Sequence, residues 1–383
     1  MPKKKVESKI LTFEGHISNL NYTPTFSPAS LPAYEFNLFD INTASPSGLV
    51  KFDQLNNLAY SKWVTPKRTR SYPFARIYNT YHTAGKIVTV IPIIKDEGSD
   101  TNNDRINFIT LSWLNLMNVY IILAWYDKAD KINDLRITNQ KFNNAHVKKK
   151  LEEIKNYKLD AHHWNKEHFI NEFPTILRSA VKSYKDIASS LNVKLHSPLD
   201  HEKFLKGIIL DKDQNKLDLE KFKIETLKRS QLAAVRESKT SHKRELLNKE
   251  SAKCIFQIEN NLGGKYHLTA DEVVIVNKDE ILIQECKNST TGHLPSEEDI
   301  KDGLFKLILL SNIETLKLNG KTIKFKPRLR MTGDLKGNLI LPAEQEDVDF
   351  YSEKNKFSLQ EKKILDSLNI EANKNNLTVV IGE

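Results

Sequence analysis

Two cysteines in 383 residues, Cys254 and Cys286, exclude a disulfide framework and cannot supply a zinc site unaided. They suit a reducing interior. No apolar run approaches the roughly 20 residues that a membrane span requires, and Met1-Pro2-Lys3-Lys4-Lys5 leads into polar sequence without an apolar signal core. A cytoplasmic location with no membrane partner is expected. A phosphate loop is missing as well: around Gly320-Lys321-Thr322, Thr315 stands where the first glycine would be, and no helix pattern follows. No nucleotide cofactor is expected.

What the chain has is positive charge. A formal net charge of +9 and a pI near 9.1 favour a polyanionic partner, unless they reflect only a lysine-rich composition. From Ser61 to Lys86 there is no Asp or Glu, and Lys62, Lys67, Arg68, Arg70, Arg76 and Lys86 interleave with Trp63, Tyr72, Phe74, Tyr78 and Tyr81. Cations for phosphates and aromatics for sugars or bases predict a DNA surface; the alternative is aromatic core with solvated cations. Residues 221–253 combine helical composition with a second basic cluster, Lys239, His242, Lys243 and Arg244, which would steer phosphates or form a solvated helix face.

Between Ala270 and Lys287 the chain reads A-D-E-V-V-I-V-N-K-D-E-I-L-I-Q-E-C-K. Two apolar runs flank the polar tetrad Asn277-Lys278-Asp279-Glu280, which predicts an antiparallel hairpin. If the loop is 277–279, counting back along both strands puts Asp271 opposite Glu285; a loop one residue longer puts it opposite Cys286, still within a diagonal's reach of Glu285 and Lys287. Opposed residues share a face about 5 Å apart, and so do residues two apart on one strand. Asp271, Glu285 and Lys287 should therefore converge. Paired carboxylates suit Mg²⁺, and an ammonium beside them suits a water and a phosphate. A solvated hairpin face is the alternative.

Ala270-Asp271 with Glu285-Cys286-Lys287 resembles the PD-(D/E)XK nucleases, and among them the type II restriction endonucleases, with Ala in place of the motif's proline. The resemblance covers about a third of the chain. It implies that Asp271 and Glu285 ligate Mg²⁺, that the Cys286 carbonyl adds an oxygen, and that Lys287 orients or activates the attacking water. It also implies an α/β fold: a restriction-endonuclease-like core, a mixed sheet flanked by helices, with an N-terminal α/β recognition region. Residues 1–200 would then recognise DNA and 201–383 cut it. The helix preceding the hairpin, continued through Cys254, Ile255, Phe256 and Ile258 to Gly263-Gly264, would offer another acid, Glu250 in preference to Glu259.

Double-stranded DNA would be the substrate, a homodimer would match a symmetric site, and a cognate DNA methyltransferase would protect the host. Rival functions are a structure-specific repair or junction-resolving nuclease and a non-catalytic DNA-binding protein.

The rest of the chain supports an α/β reading. Residues 1–60, punctuated by Pro24, Pro28, Pro32 and Pro46, suggest an irregular arm. Lys86–Ile94, Arg105–Met117 and Val119–Tyr126 form a βαβ pattern, whose loop carries a rival acidic site at Asp96, Glu97, Asp100 and Asp104. The charged stretch 127–157 reads as a connector or exposed helix, and His162, His163 and His168 as a weaker metal candidate. Glu172–Leu191 is an amphipathic helix, and Ser296 caps another on which Lys301 and Lys306 would face DNA or solvent. Asn319-Gly320 turns a second hairpin; Phe357–Leu368 and Leu377–Gly382 close as helix and strand.

Overall fold

The segment L-T-F-E-G-H-I alternates apolar and polar residues, and it forms the strand Leu11–Ile17 (β1), burying Phe13 and Ile17 while Thr12 and Glu14 stay exposed. Its sheet neighbours lie more than 200 residues away in sequence. The computed structural model describes residues 11–26, 31–53, 56–66, 73–81, 83–228, 251–260, 262–277 and 279–382. They fall into two units: Pro28–Arg229, and a split unit made of Met1–Ser27 with Ser230–Glu383. The expected division at residue 200 is thus replaced by an insertion. The early strands also correct the picture of an irregular arm.

In the inserted unit β2 (Ala33–Glu35), β3 (Ser47–Lys51), β4 (Asn57–Lys62), β5 (Lys86–Pro92) and β8 (Val119–Ala124) form one sheet in that order, with β4, β5 and β8 parallel. Between β4 and β5 runs α1 (Pro73–Thr80), and between β5 and β8 come the ribbon β6 (Ile94–Asp96) and β7 (Asn103–Arg105) and then α2 (Phe108–Leu116). The expected βαβ unit is therefore present. Its helix is capped by Asn107, whose side chain accepts from the Thr110 N–H, and not by Asp104. The charged stretch after β8 is a hairpin, β9 (Tyr126–Asn133) with β10 (Arg136–Phe142), followed by α3 (Asn144–Asn156). The long α4 (Ala161–Leu191) begins earlier than its amphipathic pattern suggests, because Asp160 caps it by accepting from the His163 N–H. Then come α5 (Leu199–Ile208) and helical residues 219–228 (α6). No helix among the described residues is long and apolar enough to cross a membrane.

The split unit is a mixed α/β fold with a nine-stranded mixed sheet. Its strands are β1, β11 (Ser251–Asn260), β12 (Lys265–Asn277), β13 (Glu280–Asn288), β14 (Thr315–Leu318), β15 (Lys321–Thr322), β16 (Lys324–Thr332), β17 (Leu339–Leu341) and β18 (Thr378–Ile381). The spatial order is β15-β14-β1-β11-β12-β13-β16-β18-β17. Helix α7 (Glu297–Leu310) lies between β13 and β14 in sequence, and α8 (Gln345–Lys354) and α9 (Leu359–Asn375) between β17 and β18. β11 to β13 form an antiparallel meander, and β16 and β18 add parallel strands beyond it.

β11 corrects the expectation of a helix through Cys254–Ile258. Cys254 to Phe256 and Ile258 are buried while Glu259 is exposed, and the segment pairs with β1 on one edge and β12 on the other, which makes it a strand. Phe256 stacks on Phe13 at 5.1 Å between ring centroids, and each such buried ring contributes roughly 2 kcal/mol. The two later turn and cap expectations hold: Asn319 and Gly320 both take positive φ between β14 and β15, and Ser296 caps α7 by accepting from the Asp299 N–H.

Candidate active site

The β12–β13 pairing has the register expected from counting, with Glu272 opposite Gln284, Val273 opposite Ile283 and Ile275 opposite Ile281. One step further along the same register places Asp271 across from Glu285. The pairing shifts only near the turn, where Asn277 meets Glu280.

On its other edge β12 carries an irregularity that matters more. Cys254 pairs with Ala270 and Ala252 with Val273, so Asp271 and Glu272 together stand opposite the single position Lys253. This is the arithmetic of a β-bulge, which re-aims side chains. Glu272 goes to Gln284, whose amide donates to it, and Arg328 donates in turn to Gln284. The Asp271 carboxylate instead accepts the backbone N–H of Cys286 at 2.9 Å.

Glu285 and Lys287, two apart on β13, share the face that α7 covers. Their β16 partners are Leu329 and Met331. The helix approaches closely because of Gly303: a Cβ there would stand 2.7 Å from Leu329 Cδ1 and 3.3 Å from Lys287 Cε. One residue before and three after that glycine, Asp302 and Lys306 reach the strand. Lys306 Nζ lies 2.6 Å from Glu285 Oε1, Lys287 Nζ 3.2 Å from the same oxygen, and Asp302 Oδ2 2.7 Å from Lys287 Nζ.

Five ionisable groups therefore meet under one helix turn. Glu285 is 1% exposed, and its second oxygen, Oε2, is buried with no hydrogen-bond partner. Burial, reinforced by the charge of Asp271 and only partly offset by the two lysines, pushes its carboxyl up to about 7. For Lys287, burial alone would lower the pKa, but Glu285 and Asp302 outweigh it and raise the value. Lys306 is raised on the same balance, with Glu285 the leading partner. Burial first, and Asp271 second, pushes the Cys286 thiol up to about 12, so that side chain is an inert thiol near Gln284.

The orphaned Glu285 oxygen, with Asp271 near enough to raise its pKa, fits a hard cation: both donors are carboxylates, and one has a lone-pair position that nothing among the described residues fills. The Cys286 carbonyl lies on the same edge of β13 as the N–H that meets Asp271, so it is a further oxygen on that side. Among the described residues no group of three His, Cys, Asp or Glu side chains gathers at metal-binding distance. A cation here would take two side chains and complete its shell with other oxygens.

The remaining expected site residues separate from this cluster. Glu250, Lys239, Lys243, Arg244, Lys67, Arg68 and Arg70 lie outside the described residues. Glu259 pairs with Lys265, six residues along β12 from Asp271, so it does not join the site. The expected DNA surface at 61–86 is corrected wherever it is described. Trp63, Phe74 and Tyr78 are core, Arg76 donates to the Lys62 carbonyl at 2.7 Å, and Lys62 donates to the carbonyls of Ile41 and Ala44. Lys86 donates to the carbonyls of Ile154, Lys155 and Tyr157 at the end of α3. These cations serve the fold.

The rival sites dissolve as well. Asp96 accepts from His196 and from the Gly98 N–H, Asp104 accepts from Thr65, and His168 Nε2 accepts from the Leu123 N–H. Lys301 is buried against Glu297 and does not project toward a ligand. Asp302 escaped sequence reasoning, and Lys306 was assigned to DNA or solvent. Their one signal was an acid and a base spaced i, i+4 around a glycine on the apolar flank of a capped helix. No family model, curated protein or solved structure matches the chain, so the site rests on its own geometry.

Proposed function

We propose that this chain is a Mg²⁺-dependent type II restriction endonuclease with a PD-(D/E)XK site, hydrolysing phosphodiester bonds in both strands of duplex DNA at a specific sequence. One observation carries the reading: a buried carboxylate, Glu285, with an unfilled oxygen, opposite Asp271 and beside Lys287. Asp271 and Glu285 would hold the ion. Mg²⁺ when bound supplies Lewis-acid chemistry, easing loss of a proton from water and offsetting phosphate charge.

Lys287 keeps its proton, because Glu285 and Asp302 raise its pKa against the effect of burial. It is then a hydrogen-bond donor and positive charge, aligning the nucleophile and opposing negative charge as the P–O bond breaks, and not a general base. Asp302 fixes where that ammonium points. A homodimer would bring two such sites to a palindrome, with a cognate DNA methyltransferase shielding the host's own sites.

A second reading is an inert ion cluster on a DNA-binding protein. It is favoured by the two ammonium groups on Glu285 Oε1 and by the absence, among the described residues, of a three-donor group. One experiment separates them. Plasmid and phage DNAs are incubated with wild type or Lys287→Ala, in Mg²⁺ or in EDTA. Discrete fragments from wild type with Mg²⁺ alone support the nuclease; intact DNA throughout, or full cutting by Lys287→Ala, overturns it.

A further inference from the structure

Lys287 and Lys306 both contact Glu285 Oε1, but the two lysines are held differently. Lys287 is 14% exposed and clamped from its other side by Asp302 at 2.7 Å. Lys306 is 29% exposed, and among the described residues its one ion pair is with Glu285 at 2.6 Å. Its ammonium sits at the end of a four-carbon stem rooted on α7, and part of that stem already meets solvent. By direct ion pairs Lys306 is the less clamped of the two.

Charge gives the departure of Lys306 a consequence. With all five groups ionised, Asp271, Glu285 and Asp302 contribute −3 and the two lysines +2, so the cluster carries −1. Without Lys306 it carries −2, which one divalent ion neutralises. With Lys306 in place, a divalent ion on the open Glu285 Oε2 would share a carboxylate with an ammonium, and like charges at that range repel strongly in a dry site.

Resting on the metal-site reading above, we propose that Lys306 is a tethered monovalent cation that holds Glu285 until a divalent ion displaces it, and so sets the ion affinity of the site. The lysine makes the metal-free site safe to fold, since Glu285 would otherwise be a buried anion facing Asp271. It also makes occupancy conditional on divalent-ion concentration. Asp302 keeps Lys287 from following Lys306 outward, so the residue aligned with the substrate stays put while the placeholder moves.

The test reads metal binding directly. Titration of Mn²⁺ into the full-length protein, followed by the loss of the free-ion electron paramagnetic resonance signal, is compared for wild type, Lys306→Met and Lys306→Gln, with Glu285→Ala as control. Both Lys306 variants should bind Mn²⁺ about tenfold or more tightly than wild type, with Glu285→Ala losing the site. Lys306→Gln keeps a hydrogen-bond donor for Glu285, so it guards against a folding defect in Lys306→Met. If wild type binds through Glu285 and neither variant binds more tightly, the placeholder inference fails while the metal site stands. If no protein binds the ion, the metal-site reading fails and takes this inference with it.

Discussion

Two charge clusters among the described residues, one in each unit, are held in different electrostatic balance. In the inserted unit Lys150 lies between Glu153 and Glu172, each at 2.7 Å, with His168 Nδ1 3.4 Å from Glu172. Burial alone would raise the pKa of Glu172, but His168 and Lys150 outweigh it and pull the carboxyl down to about 2. In the split unit Glu285 has two lysines close by and still rises to about 7. In the first cluster both Glu172 oxygens have a partner, Lys150 reaching each and His168 standing beside one. The second is left short, with a carboxylate oxygen that nothing among the described residues satisfies.

Removing the acid should therefore act unequally in the two places. Glu172→Ala strands Lys150 on Glu153 alone and should cost about 2 kcal/mol in denaturant unfolding, less than the usual value for a broken buried pair because Glu172 is one-third exposed. Glu285→Gln should change metal-free stability by less than about 1 kcal/mol, since the relief of a buried anion opposes the loss of two ion pairs. Equal losses at both sites would erase the contrast.

The pH responses should diverge next. Glu172, with its pKa depressed from 4.5, favours folding above that value, and the contribution is lost as pH falls toward about 2. Glu285, raised from 4.5, favours folding of the metal-free chain below that value, and the contribution is lost as pH rises toward about 7. A divalent ion needs the ionised carboxylate, so its affinity should be highest at alkaline pH, halved near pH 7 and falling about tenfold per pH unit below that. Melting temperatures with and without Mg²⁺ across this range would check it; a midpoint near 4.5 would place Glu285 in an ordinary environment.

The smallest effect concerns the helix that seats on the second cluster. Gly303→Ala gains helix propensity but drives a methyl into Leu329 and Lys287. A net loss of about 1 kcal/mol is expected, with a larger proportional loss of cleavage as Lys287 shifts. A stabilised, fully active variant would show that α7 does not need its close approach.

Much of the second cluster was legible in the chain and almost none of the first. The polar tetrad 277–280 between apolar runs was enough to count Asp271 against Glu285, because side chains in a hairpin alternate with a period of two and a short loop leaves few registers. The bulge that parts Asp271 from Glu272 depends on β11, whose strand character was obscured by the helical composition preceding it. Its signal was present in the alternation of Cys254, Phe256 and Ile258 with Gln257 and Glu259. The basic and aromatic residues of 61–86 misled for another reason: composition states what a side chain can do, and burial decides whether it meets solvent at all.

By itself the sequence determined what depends on near neighbours: the β12–β13 hairpin, the Asn319-Gly320 turn, the Ser296 cap, the βαβ unit and the meeting of Asp271, Glu285 and Lys287. Each follows from spacing or backbone preference within about forty residues, and all but the βαβ unit within about twenty. Tertiary structure alone decided that β1 joins a sheet begun more than 200 residues later, that Lys62, Arg76 and Lys86 close the interior of the inserted unit, and that Asp302 and Lys306 complete the candidate site. Those outcomes depend on which surfaces meet, and burial then fixes the charge and reach of every group enclosed between them.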